Sequence, residues 1–325
     1  MGVTVRACVA LFVLAIVAAG PSIAQSYPTK PIRLIVPFPP GGINDTVARP
    51  FAERMKAALG AMVIENLSGA GGVIGGGAVA RAAADGYTML IGSAGTHLVG
   101  PLIMSNPPYH PLKDFRSIAI LAIGGNAITV HPSLPVKTLK ELVAYANTPG
   151  RALSYGSPGA GSSGHLAAEL FKSLAPTPDL SHVSYRGGPA ALADLMGGHV
   201  PVVVSNLSGQ LFELHRAGKI RVLALTTANR STVAPDIPIA RETVPGMVAH
   251  NFFGLFVPAR TPAPLVERIV AAVHTTLADS AVLELWAKAG LEASPDQTPD
   301  KAQRFVEDEI NRWSPVIKSL GLKQD

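Results

Sequence analysis

Residues 32–60 read Ile32-Arg33-Leu34-Ile35-Val36-Pro37-Phe38-Pro39-Pro40-Gly41-Gly42-Ile43-Asn44-Asp45-Thr46-Val47-Ala48-Arg49-Pro50, then Phe51-Ala52-Glu53-Arg54-Met55-Lys56-Ala57-Ala58-Leu59-Gly60. The change of period inside this stretch decides the fold class. Ile32 to Val36 is a short β-branched, apolar run and reads as a strand. From Val47 the apolar residues Ala48, Phe51, Ala52, Met55, Ala58 and Leu59 recur at three and four, the stripe of a helix, and Gly60 is suited to end it. Pro50 inside that stripe predicts a kink or an irregular first turn. The alternation continues with a strand over 62–64, a helix around 78–84, the Asp85-Gly86 turn and a strand over 87–91. Further strands are expected at 117–123, 153–155, 200–204 and 220–225, and a helix over 139–146 starts at the capping box Thr138-x-x-Glu141. Strands separated by helices predict an α/β protein with parallel sheets covered on both faces.

Two extended apolar runs, 127–130 and 251–257, each close on a proline-bearing stop, His131-Pro132 and Val257-Pro258. If they lie side by side they are two crossings between a discontinuous domain, 25–127 with 258–325, and an inserted domain, 128–250. The run 251–257 is then the second crossing of a hinge, and the cleft between the domains is where a ligand binds. The length of 325 residues suits about two domains. With 48% hydrophobic and 15% charged residues the chain has the composition of a folded protein. A net charge of +5 without any run of Lys or Arg argues against nucleic acid. Arg6, the apolar run 7–19 and Ser22-Ile23-Ala24 predict a signal peptide over 1–24, too short to span a bilayer, and export to a periplasm. Cys8, the only cysteine, departs with it, which leaves no disulfide, thiolate nucleophile or Cys-bound metal.

The chemistry is expected in glycine loops at the carboxyl ends of strands. In 37–45, the glycines and the helix that follows offer free amides and a positive dipole, a cradle for a carboxylate. Asn44 and Asp45 are open to two readings there, as helix cap or as ligand contact. In 155–165, Gly159-x-Gly161-x-x-Gly164 matches a dinucleotide fingerprint, with Asp179 about 20 residues on. Asp179 follows Pro176 and Pro178 in a loop instead of ending a second strand, so no dinucleotide is read, and Ser157, Ser162 and Ser163 serve as hydroxyl donors. No Gly-x-Ser-x-Gly elbow is present. His165 and Glu169 share a helix face but have no third metal ligand, so no metal and no cofactor is expected. His97, at the end of a strand in 92–97, is placed at the cleft.

Five motifs in consistent order carry a resemblance: Pro37-Phe-Pro-Pro-Gly-Gly-x-Asn-Asp45-x-Val-Ala-Arg49, Glu65-Asn-x-x-Gly-Ala-Gly-Gly72, Asp85-Gly-Tyr-Thr88, Tyr155-Gly-Ser-x-Gly-x-Gly-Ser-Ser-x-His-Leu166 and Tyr185-Arg-Gly-Gly-Pro-Ala190. Together they resemble the Bug-type periplasmic solute-binding proteins of tripartite tricarboxylate transporters, from about residue 27 to the C-terminus. The resemblance implies a type II periplasmic-binding-protein fold, two α/β domains joined by a two-strand hinge around a ligand cleft, that captures a small organic carboxylate for membrane permease subunits as a monomer without catalysis. The alternative is an exported α/β enzyme, hydrolase or oxidoreductase, at the same loops. Carried over by position, the implied ligand contacts are Phe38, Gly41, Gly42, Ile43, Asn44 and Asp45 in the first loop, with Ser93, Thr96 and His97 beside them. Across the cleft stand Ser157, Gly159, Gly161, Ser162, Ser163 and His165, then Tyr185, Gly187, Ser205 and Asn206. Arg186, where relatives often carry Lys, reads as surface. Ile43 and Ser205 depart from the usual small residue or Pro and the frequent Asp. Losing that Asp removes a counter-charge for an ammonium group, so a dicarboxylate or aromatic carboxylate is expected in place of an amino acid.

Overall fold

The computed structural model describes residues 27–323 apart from 151, 176, 178–179 and 295–297, so the expected signal peptide, Cys8 and Asp179 lie outside the described residues. In chain order the elements are β1 (Ile32–Val36), α1 (Ile43–Leu59), β2 (Met62–Asn66), a 3-10 turn at Ala70–Gly72, α2 (Val73–Ala80), β3 (Thr88–Ser93) and a π turn at Gly95–Val99 running into α3 (Gly100–Ile103). Next come β4 (Phe115–Val130), α4 (Leu139–Ala146), β5 (Leu153–Ser157), α5 (Ser163–Leu174), β6 (Leu180–Ser184), α6 (Gly188–Met196), β7 (Val202–Asn206), α7 (Gly209–Arg216) and β8 (Arg221–Leu225). After a 3-10 turn at Ala240–Glu242 follow β9 (His250–Pro258), α8 (Ala263–Leu277), α9 (Ser280–Lys288), β10 (Leu291–Ala293) and α10 (Pro299–Ser319).

The strands form a sheet in the order β2-β1-β3-β9-β4-β7-β5-β6, with β8 and β10 also on β4. The pairings β1–β2, β1–β3, β5–β6 and β5–β7 are parallel, as the alternation of strands and helices requires. The set β2-β1-β3 meets the antiparallel β9 and the set β7-β5-β6 meets the antiparallel β4, whose residues 115–125 pair with β9 and whose residues 126–130 pair with β7 and β8. The expected strands at 117–123 and 127–130 are therefore one strand of 16 residues. Gly124 and Gly125, which break the apolar pattern, are there because neighbours come close. A Cβ on Gly124 would lie 2.6 Å from Leu291 Cδ2, and one on Gly125 would lie 2.4 Å from Thr227 Cγ2. The run 251–257 pairs along its length with β3 and the first part of β4. Just before it, Ala249 is tied to Thr226, which exchanges hydrogen bonds with fully buried Asn126 at the turning point of β4.

α1 runs unbroken through Pro50, so the expected kink is absent. Its stripe of Val47, Phe51 and Met55 is fully buried, with Phe51 stacked 6.4 Å from Trp286 of α9, and this burial outweighs one missing hydrogen bond. α2 lies at 73–80, earlier than the expected 78–84, because Gly75-Gly76-Gly77 hid it. Packing demands those glycines: a Cβ on Gly75 would lie 2.8 Å from Leu67 O, and one on Gly76 would lie 2.6 Å from the Tyr109 hydroxyl.

Candidate functional site

The loop after β1 meets the loop after β6, and the turn after β2 meets the loop after β5, in direct contact. A Cβ on Gly187 would lie 2.8 Å from the Pro39 ring, and one on Gly71 would lie 2.6 Å from Ala160 O. Two cavities remain between them. An inner one of about 50 Å³ is lined by Gly42, Ile43 and Asn44 on one side and by Gly188, Pro189, Ser205, Asn206 and Ser208 on the other. An outer one of about 440 Å³ is lined by Ser68, Gly71 and Ile74 facing Gly159, Ser184, Tyr185 and Arg186. Phe38, Pro39 and Pro158 border both. Among the described residues no acidic side chain lines either cavity.

The inner cavity sits on two helix starts. α4, α5, α7, α9 and α10 each have a side-chain cap, supplied by Thr138, Ser162, Ser208, Asp279 and Thr298. α1, α2 and α6 instead have glycine N-caps, Gly42, Gly72 and Gly187, with no side-chain cap, and α3 and α8 also lack one; of these five starts, those of α1 and α6 line the inner cavity. The first N–H groups of a helix have no acceptor within it. In α1 the bonding begins at Thr46, which donates to Gly42 O, and in α6 at Ala191, which donates to Gly187 O. The amides of Ile43 and Asn44 and of Gly188 and Ala190 are thus left for another acceptor, each set at the positive end of a helix dipole.

Asp45 neither caps the helix nor offers itself to a ligand, which corrects both readings of it. It is 3% exposed, and its carboxylate accepts from Arg49 (2.7 and 3.1 Å), Gly41 N (3.0 Å) and Asn66 Nδ2 (3.2 Å). Burial pushes its pKa up, but the donors of Arg49, Gly41 and Asn66 outweigh it and hold the carboxyl below its ordinary value. The amide of Gly41 is consumed in the same way. Asn44, by contrast, is buried and lines the inner cavity as expected.

Ser93, Thr96 and His97 do not reach either cavity, a second correction. Thr96 Oγ1 takes the amide of Ser93 and lies 2.8 Å from His97 Nδ1. The His97 ring is fully buried, stacks on Phe256 at 3.8 Å, and has no partner at Nε2 among the described residues. Burial lowers its pKa to about 3, so it is a neutral core residue. An unfolded histidine titrates near 6.5, so the unfolded chain binds the extra proton between that value and about 3, and stability falls as pH falls through this window by up to ~1.4 kcal/mol per unit. Urea unfolding at pH 6 and pH 4.5 should show a loss in the wild type about 2 kcal/mol larger than in His97→Gln; equal losses would place the acid sensitivity elsewhere.

The serines of the second loop are engaged inside the protein, a third correction. Ser157 Oγ lies 2.7 Å from His182 Nε2 and accepts the amide of Gly159. Ser162 caps α5 through the amide of His165. Ser163 Oγ joins Asn126 and Asn206, whose Nδ2 donates to both at 3.0 Å. His165 takes the amide of Gly161 at Nδ1 and stacks on His182 at 4.2 Å. Burial lowers both histidines, His182 to about 4. Glu169, the second member of the possible metal pair, is bonded to Tyr155 and Lys172. The loop is a scaffold in which Ser157 and Ser163 are engaged as both donor and acceptor, while Ser162 accepts an amide and keeps its O–H to donate.

Of the residues expected at the cleft, Phe38, Gly42 and Ile43 line the inner cavity, Gly159 and Tyr185 line the outer one, and Gly161 lies against Gly71. Ser205 is buried, lines the inner cavity and makes no hydrogen bond among the described residues; Asn206 lines it too. Arg186 is exposed, as expected, yet stands at the rim of the outer cavity. Asn126, Gly71, Ser208 and, beyond its N-cap Gly187, the first turn of α6 were not read from sequence as site residues. The α6 start had a signal, since Gly187-Gly188-Pro189 pairs a flexible cap with proline in the first turn. Asn126, in mid-strand, had none.

The sequence model described as "Tripartite tricarboxylate transporter family receptor" matches residues 47–322. Protein BugT of Bordetella pertussis is 34% identical over 321 residues, covering 98% of this chain and 97% of that protein. Among solved structures, an R. palustris protein with adipate is similar at TM-score 0.85 and 36% identity, over 91% of this chain and 99% of that one. MatC from Rhodopseudomonas palustris with bound malate is similar at TM-score 0.84 and 32% identity, over 90% of this chain and 100% of that one.

Proposed function

The chain belongs to the tripartite tricarboxylate transporter receptor family, and from that premise we propose that it is a periplasmic receptor that seats one carboxylate of a small organic acid between the starts of α1 and α6. It has the fold of the periplasmic binding proteins and hands its acid to the membrane subunits of such a transporter. The observation that carries the seat is that two helix starts without side-chain caps line one cavity from opposite sides. Each charge-assisted hydrogen bond from such an amide contributes roughly 1.5–3 kcal/mol, enough to hold an anion without a buried arginine.

The two lobes of this reading are residues 25–127 with 258–325 and residues 128–250, crossing at Asn126 and again at 249–250, and the contacts of Pro39 with Gly187 and of Gly71 with Ala160 support a closed state. The ligand carries no ammonium group, because the cavities lack an acidic lining and Asp45 is neutralised by Arg49. The Ser157–His182 pair has the spacing of a hydrolytic dyad, but Ser157 is fully buried and serves Gly159, which supports a receptor without turnover. The protein acts as a monomer after removal of residues 1–24.

Thermal unfolding with matched acids tests this reading. A saturating acid at 100-fold its dissociation constant should stabilise the protein by about 2.7 kcal/mol, with succinate and glutarate more effective than aspartate and glutamate. A larger shift from each amino acid would remove the ligand class, and no shift from any acid would remove the receptor.

A further inference from the structure

We infer that Arg186 is a specificity residue that reads a second carboxylate at the far end of the bound acid, which makes this receptor selective for diacids over monoacids of equal length. The inference rests on the proposed seat of the first carboxylate and adds the other end of the ligand. An acid held at the starts of α1 and α6 fills the narrow inner cavity with its head group, because that space is about 50 Å³. The two cavities adjoin at Phe38, Pro39 and Pro158, and in this proposal the chain of the acid runs past these residues into the larger space of about 440 Å³. The walls there are apolar or neutral. Ile74 stands at the mouth, 55% exposed, as a surface for a hydrocarbon spacer to cover.

Arg186 is the one charged side chain among the described residues that line either cavity. Its side chain makes no hydrogen bond or ion pair with the described residues, a state it shares with those of Arg81, Arg116 and Arg241, but among the described residues it alone of the arginines lines one of these cavities. A guanidinium fork with nothing to bind, at the open end of a cavity without acids, matches a carboxylate in geometry and charge. Its neighbour Tyr185 donates its hydroxyl to Asp194, and Ser184 accepts the amide of Ala160, so both help to fix the loop that carries Arg186. Ser68, exposed and with no side-chain hydrogen bond among the described residues, lines the same cavity and offers a second donor, a hydroxyl, there.

Calorimetry on the mature protein with adipate against hexanoate, glutarate against pentanoate and terephthalate against benzoate reads the preference directly. In the wild type the best diacid should bind about tenfold tighter than its monoacid, a preference of about 1.4 kcal/mol that shrinks as salt is raised. Arg186→Gln should bring the ratio close to one, and Arg186→Lys should restore part of it, as a point charge replaces the fork. A ratio that survives in Arg186→Gln overturns the role of Arg186. Monoacids that bind as tightly as diacids to the wild type overturn it too, while leaving the carboxylate seat standing. Failure of every acid to bind the wild type overturns both.

Discussion

Gly42→Asp should abolish acid binding, with affinity reduced at least 100-fold, in a protein as stable as the wild type. Gly42 has φ −76° and ψ 171°, an extended conformation open to any residue, and it is the N-cap of α1. A Cβ there lies 3.3 Å from Pro39 O and 4.0 Å from the Pro189 ring, tight but tolerable. Aspartate is among the best N-cap residues, and its carboxylate would accept from the amides of Asn44 and Asp45. The variant would supply its own anion to the place reserved for the ligand, removing charge-assisted bonds of roughly 1.5–3 kcal/mol each and adding repulsion between like charges. Calorimetry with the best acid, alongside a thermal melt, checks both halves. Binding within threefold of wild type would show that the ligand does not use this helix start.

Gly71→Val should prevent closure and weaken binding by about 30-fold. In the observed arrangement its Cβ would lie 2.6 Å from Ala160 O and 2.7 Å from the carbonyl carbon of Gly161, backbone atoms with no freedom to turn aside. The φ of +63° adds a left-handed penalty of roughly 1–2 kcal/mol. That penalty touches a loop and leaves the strands and core intact, so the protein should still fold. Small-angle scattering with saturating acid should give the variant a larger radius of gyration than the liganded wild type. A wild-type radius together with wild-type affinity would mean that the 70–72 and 160–161 loops part without consequence.

The contrast between the two glycine loops shows what a sequence does and does not disclose. The first β-loop-α unit was legible from Ile32 to Gly60 because its signals are local: a β-branched run, then an apolar stripe at three and four. The hydroxyls of Ser157 and Ser163 were equally visible, but what they bond to was not. Their partners His182 and Asn126 lie 25 and 37 residues away and are brought in by the pairing of β5 with β6 and of β4 with β7. His97 had the right place in the chain and the wrong face, since the π turn directs its ring into the core against Phe256. Gly75, Gly76, Gly124 and Gly125 read as breaks in a pattern, whereas each permits an approach that a side chain would block. The absence of a cap on α1 and α6 is the reverse case. Sequence reading counts caps that are present, and the site is marked by two that are missing.

The most direct test is a crystal structure of the mature protein with the tightest-binding acid. The account predicts a carboxylate in the inner cavity with its oxygens about 2.7–3.2 Å from an amide of Ile43 or Asn44 and from an amide of Gly188 or Ala190, or one ordered water away. A carboxylate seated instead on the hydroxyls of Ser162 and Ser163, with the starts of α1 and α6 open to solvent, would contradict it.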